Sequence, residues 1–117
     1  MSTFDLTSGP IRVAATGKQP LAAVLDLGDY RELDVLLSAL SLEGTAGPAA
    51  SIRLLTHFCN KCEDGWVVAT TFTVVNASST YEMKQINAFL RYLRWEVSGL
   101  AGAGPAITFA IAGVGKG

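Results

Sequence analysis

The sequence predicts an all-β protein, an antiparallel β-sandwich with an extended N-terminal arm. Short runs of alternating apolar and polar residues recur along the chain, and clusters of Gly, Pro, Asn and Asp separate these runs. Half of the 117 residues are hydrophobic and 16% are charged, which is enough apolar material for one packed core. We therefore expect one sandwich domain at residues 21–117, preceded by an arm at residues 1–20.

Four strands follow from alternation, at residues 52–58, 66–72, 93–97 and 107–111. In the first two, the shared faces consist of Ile52, Leu54, Thr56 and Phe58, and of Trp66, Val68, Thr70 and Phe72. Residues 33–40 fit both a helical and an alternating pattern, and we predict a strand because turn residues lie at both ends. For residues 81–88 we predict a strand or an irregular crossing segment, with a short helix as the alternative.

Turns are predicted wherever Gly, Pro, Asn or Asp cluster, at residues 9–10, 17–20, 28–29, 44–48, 64–65, 76–79 and 99–105. The last of these is expected to be a flexible hairpin loop, and the glycines of 113–117 indicate a terminus that passes close to another part of the molecule or simply ends. In the arm we expect a short strand at 11–15. The arm then either lies across a neighbouring subunit by strand addition or remains a flexible terminus.

Charge and hydropathy exclude several classes of protein. The formal net charge is −1 with interspersed signs, so no nucleic-acid partner and no polybasic membrane anchor are expected. Residues 1–20 contain no apolar signal-peptide core, and no apolar run approaches the length of a membrane span. With two cysteines and no disulfide framework, the expected origin is a reducing compartment.

The most chemical-looking residues are Cys59 and Cys62, together with His57 just before them. Two thiolates at this spacing and one imidazole are possible zinc ligands, but a structural zinc site needs a fourth ligand. The segment lies between two predicted strands, as a hairpin tip does. We expect free thiols here, with a disulfide and a metal site as the alternatives, and we expect His57 to face solvent. No metal or cofactor is predicted.

Other candidate sites have ordinary structural explanations. The glycine-rich segments do not match phosphate-binding spacing. Tyr30 and Tyr92 are the aromatic residues least expected to be buried, so they are the candidates for stacking on a sugar ring in a carbohydrate-binding module. Arg94 is expected to form a cross-strand ion pair with the neighbours of Glu96 or with Asp34. No set of residues suits catalysis, so we do not expect an enzyme.

Several segments resemble sequence patterns of small virion proteins of tailed phages. The longest is residues 89–99 (FLRYLRWEVSG), followed by a loop and by residues 105–113 (PAITFAIAG). Shorter similarities lie at residues 25–30 (LDLGDY), at 44–48 (GTAGP), and in the hairpin of 52–56 (IRLLT) and Gly65-Trp66. The similarity covers about residues 21–116, but each motif is short. The family hairpin lacks cysteine, and this chain departs from it at Cys59 and Cys62.

The resemblance implies a jelly-roll-like structural protein of the virion. The expected function is capsid decoration, in which a cement protein bridges capsomers and stabilises the head shell. It implies the major capsid protein and further copies of the chain, as a dimer or trimer, as partners. It also implies synthesis in the host cytoplasm and a final place on the capsid surface. The alternatives are a neck, tail or fibre-associated protein of the same fold, and a carbohydrate-binding β-sandwich module.

Overall fold

The computed structural model describes residues 2–117 and is built almost entirely from antiparallel strands. The strands are β1 (Ser2–Asp5), β2 (Ile11–Val13), β3 (Gly17–Lys18), β4 (Leu25–Asp26), β5 (Glu32–His57), β6 (Val67–Thr71), β7 (Thr80–Ile86) and β8 (Tyr92–Lys116). One 3-10 turn, Leu21–Ala23, lies between β3 and β4. Within the described residues, no helix has the length and apolarity to cross a membrane. The predicted all-β, antiparallel fold is confirmed.

Two long strands, β5 and β8, form the centre of the fold. They pair antiparallel along their length, from Glu32 opposite Lys116 to His57 opposite Tyr92. A straight strand of 26 residues would extend about 86 Å. The longest dimension of the molecule is only 43 Å. The paired strands must therefore bend back on themselves.

The bend lies where residues 43–49 of β5 face residues 101–106 of β8, and the register shifts there. Gly44 and Gly102 have φ angles of 121° and 105°, a backbone conformation that residues with side chains rarely adopt. A Cβ atom on Gly102 would lie 2.8 Å from the carbonyl oxygen of Thr45. Glycine is therefore required at this corner for both conformation and space.

The bend creates two layers from one continuous sheet. In the first layer, residues 32–43 and 106–116 pair with each other and are flanked by β1, β2 and β7. In the second, residues 49–57 and 92–101 are flanked by β3, β4 and β6. The inward side chains of both layers form one core. Trp95 and Phe109, from opposite layers, meet edge to face with ring centroids 5.4 Å apart.

Most of the apolar residues of the alternating patterns that predicted the strands form part of this core. The fully buried side chains include Leu33, Val35, Leu37, Ile52, Leu54, Leu93, Val97, Ile107, Phe109 and Ile111. The predicted strand at 33–40 lies within β5, and β7 occupies most of 81–88, where the helix alternative is wrong. Hydrophobic burial along the alternating faces outweighs the helical spacing of the leucines.

Two expected turns are wrong throughout, at 44–48 and at 99–105, and a third, at 17–20, is wrong at Gly17 and Lys18, which form β3. The first two segments lie inside long strands, because main-chain pairing between β5 and β8 continues across the bend. Glycines and prolines are equally suited to a tight turn and to a bent, bulged strand, so composition does not distinguish them. The glycines near the C-terminus do pass close to other groups. A Cβ on Gly113 would lie 2.2 Å from the carbonyl oxygen of Asp34.

The predicted shared faces of the hairpin strands also need correction. A register shift between Leu54 and Leu55 interrupts the pairing of β6, so Phe72 is buried while Val68 is 47% exposed. Phe58 lies beyond the last residue of β5 and is 71% exposed. A bulge displaces one residue and reverses the alternation beyond it.

The extended N-terminal arm is not confirmed. Residues 2–18 pair with β8 of the same chain through β1, β2 and β3. The short strand expected at 11–15 is present as β2. Intramolecular pairing satisfies the main-chain groups along β8 without the entropy loss of association, so these strands protect what would otherwise be a sheet edge.

Candidate functional site: a disulfide-closed hairpin and two apolar surfaces

The connection between β5 and β6, residues 58–66, is closed by a disulfide between Cys59 and Cys62. The expectation of free thiols is therefore wrong, and the disulfide alternative applies. The turn brings the two Cα atoms to 5.6 Å, a normal separation for a disulfide. The spacing of the cysteines in the sequence was compatible with this geometry but did not require it.

His57 holds the same hairpin closed through both ring nitrogens. Its Nδ1 accepts a hydrogen bond from the Cys59 N–H at 3.0 Å, and its Nε2 lies 3.0 Å from the Asp64 carbonyl oxygen. Because a carbonyl only accepts, Nε2 is the donor in this pair and Nδ1 the acceptor from Cys59. The ring also meets Trp66 edge to face at 5.4 Å. His57 is thus half-buried and structural, and does not simply face solvent.

These contacts do not form a metal site. Both sulfur atoms are in the disulfide, and both nitrogens of His57 have hydrogen-bond partners within the hairpin. Among residues 2–117, no group of three or more His, Cys, Asp and Glu residues is close enough to hold a metal ion. Cys59, Cys62 and His57 are brought together, but their arrangement stabilises a turn.

The burial of Arg94 is the feature of this region that sequence reasoning missed. Its side chain is only 3% exposed, and its Nε donates to the Gln19 carbonyl oxygen at 2.6 Å. The guanidinium lies 5.4 Å from the centre of the Trp66 ring, and one of its nitrogens lies 3.2 Å from a Glu63 oxygen. Gln19 and Glu63 come from distant segments, so nothing local in the sequence indicated this site.

The predicted ion-pair partners of Arg94 were wrong. Glu96 forms its ion pair with Arg53, and Asp34 forms one with Lys116 at 2.6 Å. These groups and Arg94 do not converge on one site. Arg94, Arg53, Glu63 and Glu96 do line an open groove of about 580 Å³ beside β3. Each arginine there is paired with a carboxylate, so Lys18, which also lines the groove, supplies its one unbalanced charge.

An exposed apolar surface lies beside the same hairpin, on the strand at the edge of the second layer. We call Phe58, Val67 and Val68 the edge patch; their side chains are 71%, 54% and 47% exposed. Val67 and Val68 also line an apolar groove of about 390 Å³, together with Thr56, Ala88, Phe89 and Leu90.

The groove of the edge patch is held in shape by Thr56. Its hydroxyl accepts a hydrogen bond from the Leu90 N–H at 2.7 Å and donates one to the Tyr92 carbonyl oxygen at 2.9 Å. These two bonds fix Leu90 and Tyr92 against the end of β5. One wall of the groove is therefore held in place.

A second apolar surface lies on the outer side of the first layer. We call Leu36, Tyr81 and Met83 the outer-face patch, and these side chains are 43%, 58% and 71% exposed. Leu36 and Met83 are directly opposite each other in the pairing of β5 with β7. The alternation of residues in β7 is the sequence signal for this patch, because Tyr81 and Met83 lie on one face of the strand and the buried Ile86 lies on the other.

The two tyrosines considered for sugar stacking are both half-buried. The ring of Tyr30 lies against Gly115, where a Cβ atom would be 2.5 Å away. The guanidinium of Arg91 lies 5.8 Å from the centre of the Tyr92 ring. Tyr81 is more exposed than either. A flat pair of exposed rings is not formed by Tyr30 and Tyr92, so they do not favour a carbohydrate site.

The residues that carry the family resemblance occupy structural positions. In the motif at 25–30, Asp26 accepts hydrogen bonds from Arg91 at 2.9 and 3.0 Å and from the Gly28 N–H at 2.9 Å. The bonds from Arg91, which have the largest effect, and the bond from Gly28 hold the pKa of Asp26 below its usual range. Leu27 is buried in the core. The motif thus closes the turn before β5.

Comparison with known proteins identifies no relative. No protein-family model matches the chain, no curated protein matches it, and no solved structure matches it.

Proposed function

We propose that this chain is a structural virion protein that decorates and cements a tailed-phage-type capsid by bridging capsomers. The observation that supports it best is the edge patch, three exposed apolar side chains of which Val67 and Val68 line an apolar groove. Exposed apolar surface of this kind marks contact with another macromolecule. The partner proposed for it is the major capsid protein, with the chain itself assembling as a dimer or trimer.

The edge patch would bind its partner through the apolar groove. An apolar side chain of the capsid protein would fill the groove between Val67 and Phe89, which removes apolar surface from water on both sides. A contact of this size is small, and a cement protein relies on many such contacts repeated over a shell.

The place in the virion is supported by the sequence resemblance and by the disulfide. The resembling motifs lie in the turn before β5, at the bend of the sheet and in the core strand of β8, so they support a shared architecture. Disulfides persist in oxidising surroundings such as virion surfaces, which favours the outside of a particle over a lasting place in the host cytoplasm.

The proposal also holds that the chain is not an enzyme and needs no cofactor. Catalysis requires a group free to transfer a proton or attack a substrate. The groups that sequence reasoning considered are engaged in the fold: His57 within the hairpin, and Arg94 with Gln19, Glu63 and Trp66. No nucleic-acid or membrane partner is proposed.

The test is binding to empty capsids of the virus that encodes the chain. Purified protein is mixed with capsids, and bound protein is measured by co-sedimentation, together with the heat resistance of the shells. We expect saturable binding that raises the resistance. Val67→Lys should weaken binding about tenfold or more by placing a charge in the apolar contact, since central apolar contacts dominate interfaces.

Thr71→Lys provides the matched control, because it adds the same charge to an exposed position of the same strand. It should bind as the unmodified chain does. Equal loss with both variants would contradict the role of the edge patch. Binding to tails or necks but not to shells would move the protein to that part of the virion, and no binding to any part of the particle would overturn the proposal.

A further inference from the structure

Strand β7 is a regular edge of the first layer, and residues 73–75 lie beside its Thr80–Glu82 end. All seven of its residues pair with residues 33–39 of β5 without a register shift. Within residues 2–117, no other strand pairs with its second edge. By contrast, β6 has a register shift in its pairing, and bulges of this kind discourage edge-to-edge pairing. Of the two strands, β7 is therefore the better template for another strand.

The charges of β7 are arranged so that the strand is complementary to itself. Glu82 and Lys84 are the residues before and after Met83. Their side chains lie on the face of the strand toward the sandwich interior, and Met83 lies on the other face. If two copies pair antiparallel about Met83, each Glu82 lies opposite the Lys84 of the other copy. Opposite charges at directly opposed positions stabilise a strand pair, and like charges destabilise it.

Glu82 is held at the edge in a charged form. Its two carboxylate oxygens accept hydrogen bonds from the Thr73 N–H at 2.7 Å and the Thr73 hydroxyl at 2.9 Å, and Lys84 lies 3.7 Å away. Partial burial acts to raise the pKa of Glu82, but the bonds from Thr73 and the nearby Lys84 outweigh it and lower that pKa. The carboxylate is therefore ionised and fixed in place at neutral pH.

The other side of β7 carries the outer-face patch. Met83, the most exposed of its residues, would lie on the two-fold axis opposite the Met83 of the second copy. Leu36 is directly opposite Met83 in the neighbouring strand. Pairing about Met83 would thus align four apolar side chains, two from each copy, in one row across a continuous sheet. Both faces of the strand favour the same register.

From this we infer that two copies of the chain associate through β7, antiparallel and centred on Met83, so that their first layers form one continuous sheet. An antiparallel pair of seven residues makes about seven main-chain hydrogen bonds. The interface is isologous, as a two-fold dimer requires. The contact does not involve the edge patch, so each dimer would present two edge patches.

Inward-facing charges at an edge strand commonly serve to prevent pairing. Here they prevent some registers and favour one. In a parallel, in-register pair, Glu82 would face Glu82 and Lys84 would face Lys84. Only the antiparallel register centred on Met83 places both pairs of opposite charges together while also matching the apolar side chains. The same charges therefore select a single mode of association.

This inference deepens the proposed function, since a dimer with two edge patches could bridge two capsomers, but it is tested without a capsid. Failure to dimerise would leave the capsid binding of single copies untouched. Failure to bind capsids would leave the dimer untouched. The two results are therefore independent.

The first test uses charge reversal and sedimentation analysis over a range of concentrations. Lys84→Glu and Glu82→Lys each create two like-charge contacts and should each raise the dimer dissociation constant about tenfold or more. An equimolar mixture of the two variants should associate as a heterodimer, because every opposed pair is then opposite in charge. Thr71→Lys on β6 should leave dimerisation unchanged.

Circular dichroism of each variant serves as the check that it is folded. Glu82→Lys removes the bonds to Thr73 and could fail to fold for that reason. In that case the dissociation constants of Lys84→Glu and of the unmodified chain still test dimerisation through β7. A monomeric unmodified chain at all accessible concentrations, or a dimer insensitive to Lys84→Glu, would overturn the inference.

The second test is a cross-link at the two-fold axis. Directly opposed residues of antiparallel strands have Cα atoms about 4.5–5.5 Å apart, within reach of a disulfide. Met83→Cys should therefore give a disulfide-linked dimer under mild oxidation, seen as a doubled mass on a non-reducing gel. Thr71→Cys, on β6, should show no doubled mass on the same gel. Equal cross-linking of both variants, or none with Met83→Cys, would contradict this pairing.

Discussion

Replacing Phe109 with alanine tests the contact that joins the two layers. Phe109 is completely buried, and its ring meets that of Trp95 with centroids 5.4 Å apart and planes at 89°. Removing a fully buried phenylalanine ring costs about 3–5 kcal/mol of unfolding free energy, because apolar burial is lost and a cavity remains. For a domain of this size, that lowers the melting temperature by on the order of 10–20 °C.

The aromatic contact itself can be separated from burial with a double-mutant cycle. Phe109→Leu and Trp95→Leu retain apolar side chains but remove the edge-to-face pair. The coupling between the two substitutions should be about 0.5–1.5 kcal/mol, the range measured for aromatic pairs beyond their buried area. The assay is urea unfolding followed by circular dichroism, since Trp95 fluorescence is lost in one of the variants.

Thr108→Ala is the matched control, because Thr108 is the neighbour of Phe109 on the opposite face of β8 and is half-buried. Its replacement should cost under about 1 kcal/mol. If Phe109→Ala cost no more than Thr108→Ala, the two layers would not pack on each other as described, and the bent arrangement of β5 and β8 would be refuted.

Three further predictions concern the hairpin, the corner and the surface charges. Replacing Cys59 and Cys62 with serine should cost about 2 kcal/mol in urea unfolding, less than for a long loop, because the disulfide closes only a short one. Gly102→Ala should cost on the order of 1–3 kcal/mol, since it forces a side chain into a positive-φ position beside backbone, whereas Gly104→Ala, with open space around it, should cost less. Asp26→Asn should destabilise the chain at neutral pH, and because the pKa of Asp26 is lower folded than unfolded, the difference from the unmodified chain should shrink as the pH falls below about 4. Equal costs at the two glycines, or a pH-independent effect at Asp26, would contradict these accounts.

The fold class could be predicted because burial on one side of a strand leaves a period of two in the sequence. Leu93, Trp95 and Val97 show that period and are all in the core. The bend of the long strands could not be predicted, because the glycines at 44–47 and 99–104 are equally suited to turns. Whether pairing continues through such a segment depends on the partner strand, which a local pattern does not identify.

The candidate site could be predicted only in part. Cysteines three positions apart are compatible with thiols, a metal site or a disulfide, and only the path of the turn decides among them. Arg94 had a visible alternation partner in Glu96, yet it is buried by Gln19, Glu63 and Trp66 from elsewhere in the chain. The edge patch was missed for a related reason. A bulge and a strand end place Val68 and Phe58 on the surface, and neither is visible in the pattern.

The number of copies of the chain per virion is the measurement that tests the proposed function most directly. Quantitative mass spectrometry of purified particles gives this number relative to the major capsid protein. Decoration of the head shell predicts hundreds of copies, removed together with the shell when heads and tails are separated. A handful of copies, or a multiple of six that remains with the tail, would contradict it.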